Sequence, residues 1–266
     1  MSKTGFRWDA AEYARNSAAQ QGWALELIEK LGLSGEESVL DLGCGDGKIS
    51  AEIARRVPAG RVLGVDSSED MIGLSRRSFP ASGYPNLRFQ RGDARALEFD
   101  ARFDVVFSNA TLHWVRDHGP VLKGAARSLR PGGRILFQMG GRGNGAEIFE
   151  VARQMVASGE WGRFFVGFEF PWGFYGPDDY LPWCAAAGLR LRRVELLPRT
   201  MLQKGVEGLS GWIRTTWMPY TERVPEDRRE AFIQEASARY MELHPPDAEG
   251  NVGVGMIRLE VDAVKE

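Results

Sequence analysis

The chain is poor in the residues that build metal and redox centres. It has 2 cysteines and 3 histidines in 266 residues. Cys44 and Cys184 are far apart and form no Cys/His ligand spacing. A zinc site and a disulfide scaffold are therefore excluded, and no metal is expected. Charge of either sign is not in excess: 34 Lys and Arg face 36 Asp and Glu, a formal net charge of −2. That balance gives no electrostatic footprint for nucleic acid or an anionic membrane. No apolar run approaches the ~20 residues of a membrane span. Residues 1–9 contain no apolar stretch of the secretory kind. A soluble enzyme of the reducing cytoplasm is expected, large enough to bury a sizeable core. No internal repeat appears.

What is present is glycine at one critical place. Val-Leu-Asp-Leu-Gly-Cys-Gly-Asp-Gly spans residues 39–47. The residues from 38 to 42 alternate too little for a half-exposed strand and predict a short buried parallel one ending near Asp41. Gly43, Gly45 and Gly47 follow, and then Ile49, Ile53 and Val57 at helical spacing. Strand, glycine turn and helix form the first unit of a Rossmann-like fold, where bare backbone turns sharply and lets a ligand lie close. Cys44 reads as a small residue inside that turn. A dinucleotide site wants Gly-x-Gly-x-x-Gly, but the third glycine position holds Lys48, which argues against a nicotinamide dehydrogenase.

Further strands follow at 61–65, 87–90, 103–107 and 134–139. Asp66 ends the second, 23 residues beyond Gly43. An acid there suits the two hydroxyls of a ribose, or it caps the next helix together with Ser67 or Ser68. Asp93 follows the third strand in Gly-Asp-Ala, otherwise an ordinary turn. Asn109 ends the fourth. Acids at three adjacent strand ends line one crevice in a doubly wound sheet.

The acid preceding Gly-x-Gly-x-Gly resembles motif I of the class I S-adenosylmethionine (SAM) methyltransferases. Residues 35–140 are similar to that superfamily, including Leu-Arg-Pro-Gly-Gly-Arg-Ile-Leu-Phe at 129–137. The resemblance implies a seven-stranded α/β sheet, mostly parallel, with helices on both faces and the last strand antiparallel. It implies SAM as cofactor and S-adenosylhomocysteine as product. Asp41 suits the ammonium of the aminocarboxypropyl tail, and backbone N–H groups of the turn suit its carboxylate. Met71 would pack on the adenine, and Asp93 with Ala94 would meet the adenine amino edge. Tyr13 and Gln20 resemble the lid segment of small-molecule carboxyl methyltransferases, or else Asn16 and Ser17 merely cap a helix over 17–31. The candidate cofactor-binding set is thus Tyr13, Gln20, Asp41, Gly43, Gly45, Asp66, Ser67, Met71, Asp93, Ala94 and Asn109.

Thr-Leu-His-Trp at 111–114 runs past the fourth strand. His113 is the candidate catalytic base or a solvated loop histidine; Trp114 is a core lid or an aromatic wall. Residues 161–183 hold ten aromatic side chains and three prolines, Pro171 and Pro177 among them, which suits a flap or a pocket wall. Strands near 189–197 and 256–264 enclose helices bearing Val206, Leu209 and Ile213, then Phe232, Ile233, Ala236 and Tyr240. This ending, with Trp8, Tyr13 and Asn-Ala-Thr-Leu-His-Trp at 109–114, resembles the trans-aconitate methyltransferase-like group. The expected organisation is one domain over 1–266. Its core covers about 33–145 plus the two late strands, and 1–32, 160–185 and 200–250 form a cap. The expected activity is methyl transfer to a small molecule, with a carboxylate oxygen favoured because an ionised acceptor needs no base. Arg214 and Arg199 are candidate forks for it, with Trp212 and Trp114 beside the acceptor. Methylation of a phenol or amine, or SAM binding without catalysis, are the alternatives.

Overall fold

The computed structural model describes residues 18–157 and 159–266. Those residues divide between two compact units. The first, a sheet unit, comprises 20–142, 172–197 and 258–266. Its chain begins in helix α1 (Ala18–Leu31) and runs into β1 (Ser38–Leu42), α2 (Lys48–Arg56), β2 (Arg61–Asp66), α3 (Glu69–Ser78), β3 (Leu87–Arg91), β4 (Phe103–Asn109), α4 (Gly119–Ser128) and β5 (Leu129–Gly140). The strand order is β3-β2-β1-β4-β5-β7-β6, with β6 at Leu189–Lys204 and β7 at Asn251–Lys265. Strands β1 to β5 pair in parallel, and β7 runs antiparallel to β5. All five residues of β1 are buried. A central parallel strand has helices on both faces, so neither of its faces can be polar. Alternate residues therefore feed two cores. Leu40, Leu42, Val106, Ile135 and Phe137 enter one, with Leu122, Ala125 and Tyr180. Val39, Val105, Phe107 and Leu136 enter the other, with Leu27, Ile28 and Ile53. The chain reverses its direction of strand addition between β1 and β4, and that switch leaves a crevice at the carboxyl ends of the strands.

Three boundaries differ from the sequence expectation. Arg-Pro-Gly-Gly at 130–133 lies inside β5, where Leu129 pairs with Phe103 and the register then shifts before Val105 meets Arg134. The Pro-Gly-Gly step is absorbed as a bulge rather than spent as a loop. Strands β6 and β7 are both longer than expected, reaching Lys204 and starting at Asn251. Gly205 N donates to Gly250 O (2.9 Å) where the two extensions close.

The second unit, among the described residues, comprises 143–157, 159–171 and 198–257. It carries helices α5 (Ala146–Ala157), α7 (Gly205–Thr216) and α8 (Arg229–Leu243); α6 (Pro177–Ala186) belongs to the sheet unit. Leu209 and Ile213 of α7 and Phe232, Ile233, Ala236 and Tyr240 of α8 are buried, as their helical spacing predicts, but Val206, expected on the same stripe, is 36% exposed at the start of α7; Trp212 is buried too. The aromatic segment at 161–183 is split. Trp161 and Phe165 pack on Phe232 in the helical unit, whereas Trp172 and Phe174 belong to the sheet unit. No helix among the described residues is long and apolar enough to cross a membrane.

Candidate active site

The glycine turn between β1 and α2 is laced to the end of β2. Gly43 N and Cys44 N both donate to Val65 O, at 2.7 and 3.1 Å. Gly45 N donates to Asp66 Oδ2 at 3.0 Å. Gly43 has φ +74°, and a Cβ there would lie 2.1 Å from the Thr111 side chain. Thr111 Oγ1 in turn donates to Gly43 O at 3.0 Å, tying the loop after β4 to the same turn. Gly45 has φ +52°, and a Cβ there would meet nothing within 4 Å among the described residues. The turn is therefore packed hard at Gly43 and open above Gly45. Burial and the nearby carboxylates of Asp41 and Asp66 push the Cys44 thiol well up, so it stays protonated inside the turn.

The three acids have different surroundings. Asp41 is 2% exposed and accepts a 2.6 Å hydrogen bond from Ser50 Oγ of α2. Burial, opposed by Ser50 and reinforced by the Asp66 charge, raises its pKa from 3.8 to about 7. Asp66 is half-buried and accepts from Gly45 N and, at 2.8 Å, from Ser68 N. Desolvation raises its pKa despite those bonds. The cap of α3 is Ser68, whose Oγ accepts from Met71 N at 3.3 Å, so the acid and the cap are separate residues. Ser67 is exposed and Met71 buried. Gly92 N donates to Asp66 O at 2.9 Å, which brings Asp93 to the neighbouring strand end. Asp93 starts a short 3₁₀ turn at Ala94 and accepts from Arg95 N and the Arg95 side chain. That Arg95 bond lowers its pKa.

The loop after β4 completes the crevice edge. Asn109 Oδ1 is a buried acceptor without a hydrogen-bond partner among the described residues. Ala110 has φ +55°, a left-handed conformation rare outside glycine, with its N–H fixed to Gln138 O at 2.8 Å. His113 is half-buried; its Nδ1 accepts from Gly140 N at 3.4 Å. Burial first, then the charges of Arg258 and His118, depress its pKa to about 3. His113 is therefore neutral, with its proton on Nε2. Trp114 meets Trp172 edge to face at 5.4 Å, and Trp172 stacks on Phe174. Gly173 N donates to His113 O at 2.9 Å, holding that aromatic wall to the loop.

Asp41, the glycines, Asp66, Ser67, Met71, Asp93, Ala94, Asn109, His113 and Trp114 thus share the sheet unit, at or beside the strand ends. Gln20 lies in α1, but its side chain, like all of Tyr13, lies outside the described residues. Trp212 and Arg214 belong to the helical unit. Trp212 is buried, and the Arg214 fork is engaged by Glu230 at 2.8 and 2.9 Å. Sequence reasoning passed over Ser50, Thr111, Arg258 and His118. The last is 1% exposed and bridges Tyr180 Oη (2.7 Å) and Leu112 O (2.9 Å), a structural pairing under the 111–118 loop. Only its place nine residues beyond Asp41, in the first turn of the helix after the glycines, could have marked Ser50.

A family model for a methyltransferase domain matches residues 39–133. An uncharacterized methyltransferase of Schizosaccharomyces pombe is 32% identical over 229 residues, covering 82% of this chain and 84% of that one. The chain belongs to the class I SAM-dependent methyltransferases, and its cofactor is SAM. A trans-aconitate 2-methyltransferase of Azoarcus is 29% identical over 97% of this chain and 99% of its own length. The fold is shared with a phosphoethanolamine N-methyltransferase of Haemonchus contortus bound to S-adenosylhomocysteine, at a TM-score of 0.62 and 17% identity, covering 96% of this chain and 57% of that one.

Proposed function

We propose that this enzyme methylates a small carboxylic acid on oxygen, with the strand-end residues of the sheet unit holding SAM. The observation that carries the cofactor reading is the open backbone at Gly45 beside a fixed Asp66 carboxylate. A ligand can approach peptide N–H groups there because no side chain among the described residues fills the space. In this reading Asp66 takes the ribose hydroxyls, and Asp41 and the buried Asn109 Oδ1 serve the ammonium end. Met71 packs beside the adenine, Asp93 with Ala94 reads its edge, and Ser67, Tyr13 and Gln20 close over the cofactor. Asp93 must then share its carboxylate between Arg95 and the ligand.

SAM, when bound, supplies a methyl group already activated by the sulfonium. What remains for the chain is to bind, orient and exclude water. A carboxylate acceptor is ionised at neutral pH and needs no proton removed. His113 fits that requirement as a donor: its Nδ1 lone pair is occupied by Gly140, and Nε2 carries the proton. Support for a carboxylate also comes from the trans-aconitate 2-methyltransferases, which align over nearly the whole chain. Trp114 supplies an apolar face beside the acceptor. Trp212 and Arg214 are kept as acceptor candidates from the sequence, and Arg214 would have to exchange Glu230 for a substrate carboxylate. The cap role of residues 1–32, 160–185 and 200–250, and a cytoplasmic setting, belong to the same proposal.

The test is product formation. Labelled methyl-SAM is incubated with trans-aconitate, other small di- and tricarboxylic acids, phenols and amines. A base-labile methyl ester is the expected product. Transfer confined to phenols or amines would reject the carboxylate reading.

A further inference from the structure

The acids that end β2 and follow β3 are held in different ways. Asp66 is fixed by backbone: Gly45 N reaches its Oδ2 at 3.0 Å and Ser68 N its Oδ1 at 2.8 Å. Asp93 is held by one neighbour, Arg95. The Arg95 N–H donates to Asp93 Oδ1 at 2.9 Å, which starts the short 3₁₀ turn over Ala94–Ala96. The Arg95 guanidinium then folds back onto the same carboxylate. Its Nε lies 3.0 Å from Oδ1 and 3.1 Å from Oδ2, and its Nη2 lies 2.5 Å from Oδ2.

A carboxylate offers about four lone-pair directions. Arg95 supplies four contacts by itself, three of them from its fork, so each oxygen already meets two donors. An amino group arriving from a ligand would be a fifth. Sharing that carboxylate is therefore sequential: the fork swings off before a ligand donor can take its place, while the backbone bond keeps the turn. Nothing buried opposes the swing. The Arg95 and Asp93 side chains keep 57% and 39% of their exposure, so the pair lies open to solvent and to a ligand. Arg95 has no other side-chain partner among the described residues, and a released guanidinium returns to water. The two residues also flank Ala94, at the strand end beside Asp66, where open α/β sheets bind their ligands.

We propose that Arg95 is a latch on the cofactor site: its fork closes on Asp93 in the empty enzyme and opens when the adenine amino group takes the carboxylate. The latch rests on the reading above in which Asp93 meets the adenine edge. Arg95 is then a positioning residue, and SAM and S-adenosylhomocysteine bind less tightly than the open site would allow. Apparent affinity falls by the fraction of molecules that are open. For an exposed ion pair the reduction is about two- to fivefold, or about 0.4–1 kcal/mol where tenfold is 1.4. Cofactor and product carry the same adenosine, so the latch weakens both and hastens the release of product.

The experiment titrates SAM and S-adenosylhomocysteine calorimetrically into the full chain as wild type, Arg95→Ala, Asp93→Ala and the double variant, with a thermal melt of each. Arg95→Ala should tighten both ligands by about two- to fivefold, a gain that neither a lost contact nor a lost structural prop produces. The gain should shrink as salt screens the ion pair in wild type. It should vanish in the Asp93→Ala background, because the latch then has nothing to close on. Unchanged or weaker binding by Arg95→Ala would overturn the latch, leaving Arg95 a surface ion pair or a direct contact. Tightening that persists without Asp93 would overturn it too, by placing the effect elsewhere. If Asp93→Ala alone binds SAM as wild type does, the adenine reading of Asp93 fails and the latch falls with it. That result is read without altering Arg95 and so is distinct from a failure at Arg95.

Discussion

Gly45 donates its backbone N–H to the Asp66 carboxylate at 3.0 Å, so the glycine turn after β1 and the acid at the end of β2 are positioned by each other. Asp66 also accepts from Ser68 N, which leaves it oriented before any ligand arrives. Asp66→Ala should weaken SAM binding by ~1.5–3 kcal/mol, the range for hydrogen bonds to a charged group. Asp66→Asn, which keeps one acceptor for Gly45, should lose less. Calorimetry on both variants decides this; wild-type affinity in Asp66→Ala would reduce the residue to a turn-former.

Gly43 and Gly45 should respond differently to alanine. At Gly43 the new methyl would collide with Thr111 at 2.1 Å, in addition to adopting a left-handed φ. That variant should lose stability measurably, by several degrees in Tm. At Gly45 the methyl meets nothing among the described residues, so the folding cost is that of the left-handed conformation, about 1–2 kcal/mol. Yet Gly45→Ala should lose SAM affinity tenfold or more, because the methyl fills the approach to the backbone. Thermal melts without ligand, paired with SAM titrations, separate the two effects. Equal SAM affinity in Gly45→Ala and wild type would mean that the ligand does not approach there.

Asp41 links cofactor binding to pH. Its carboxyl is shifted up, to about 7, by burial and by Asp66. A raised carboxyl pKa means that the folded chain holds the proton more tightly than the unfolded one. The group's contribution to stability is complete below its usual 3.8 and is lost as pH rises to about 7. An ammonium ligand favours the ionised form, so binding should release a proton from Asp41. SAM affinity should therefore rise between about pH 6 and 7.5, and proton release should appear in buffers of different ionisation enthalpy. Asp41→Asn should bind more weakly and show a flatter slope. An unaltered slope in the variant would assign the pH dependence elsewhere.

The sheet was legible because buried parallel strands leave near-continuous apolar runs, as in Val105, Val106 and Phe107. Glycines and acids also punctuate their ends. The turn, Asp66 and the loop after β4 could be placed from those signals alone. Other features carried no local signal. Ser50 looks like any polar residue of a helix, and its bond to Asp41 exists only because α2 packs back across β1. His118 sits in an ordinary helix start, and its partner Tyr180 is 62 residues away. The aromatic segment at 161–183 looked continuous because composition cannot show that a chain passes from one unit to another near Pro171. Arg258 stands in a strand whose other residues alternate weakly. Its pairing with Gly140 and its contact with Trp23 join residues far apart in the chain, which no spacing reveals.

The last prediction concerns the charge cluster on β7. Glu260 is fully buried and accepts from Lys30 Nζ at 2.8 Å, from Gln138 Nε2 at 3.1 Å and from Arg193. Desolvation alone would raise its pKa, but the Lys30 and Arg193 hydrogen bonds outweigh it and hold the carboxyl below its ordinary value. A depressed carboxyl pKa contributes stability that is present above the unfolded value, about 4.3. That contribution is lost as pH falls through the folded one. Glu260→Ala takes the carboxylate from Lys30 and the Gln138 amide, and leaves Arg193 with Glu195 alone. Breaking a fully buried pair costs ~3–5 kcal/mol, but the Lys30 and Arg193 side chains here keep 37% and 33% of their exposure and can turn to water. The expected loss is about 2 kcal/mol at pH 7, read from denaturant unfolding, and it should shrink as the pH is lowered toward 3. SAM affinity should be little changed, since Glu260 lies outside the glycine turn and its acids. A variant as stable as wild type at pH 7 would show that the cluster is electrostatically neutral to the fold, its Coulomb attraction cancelled by the cost of burying Glu260.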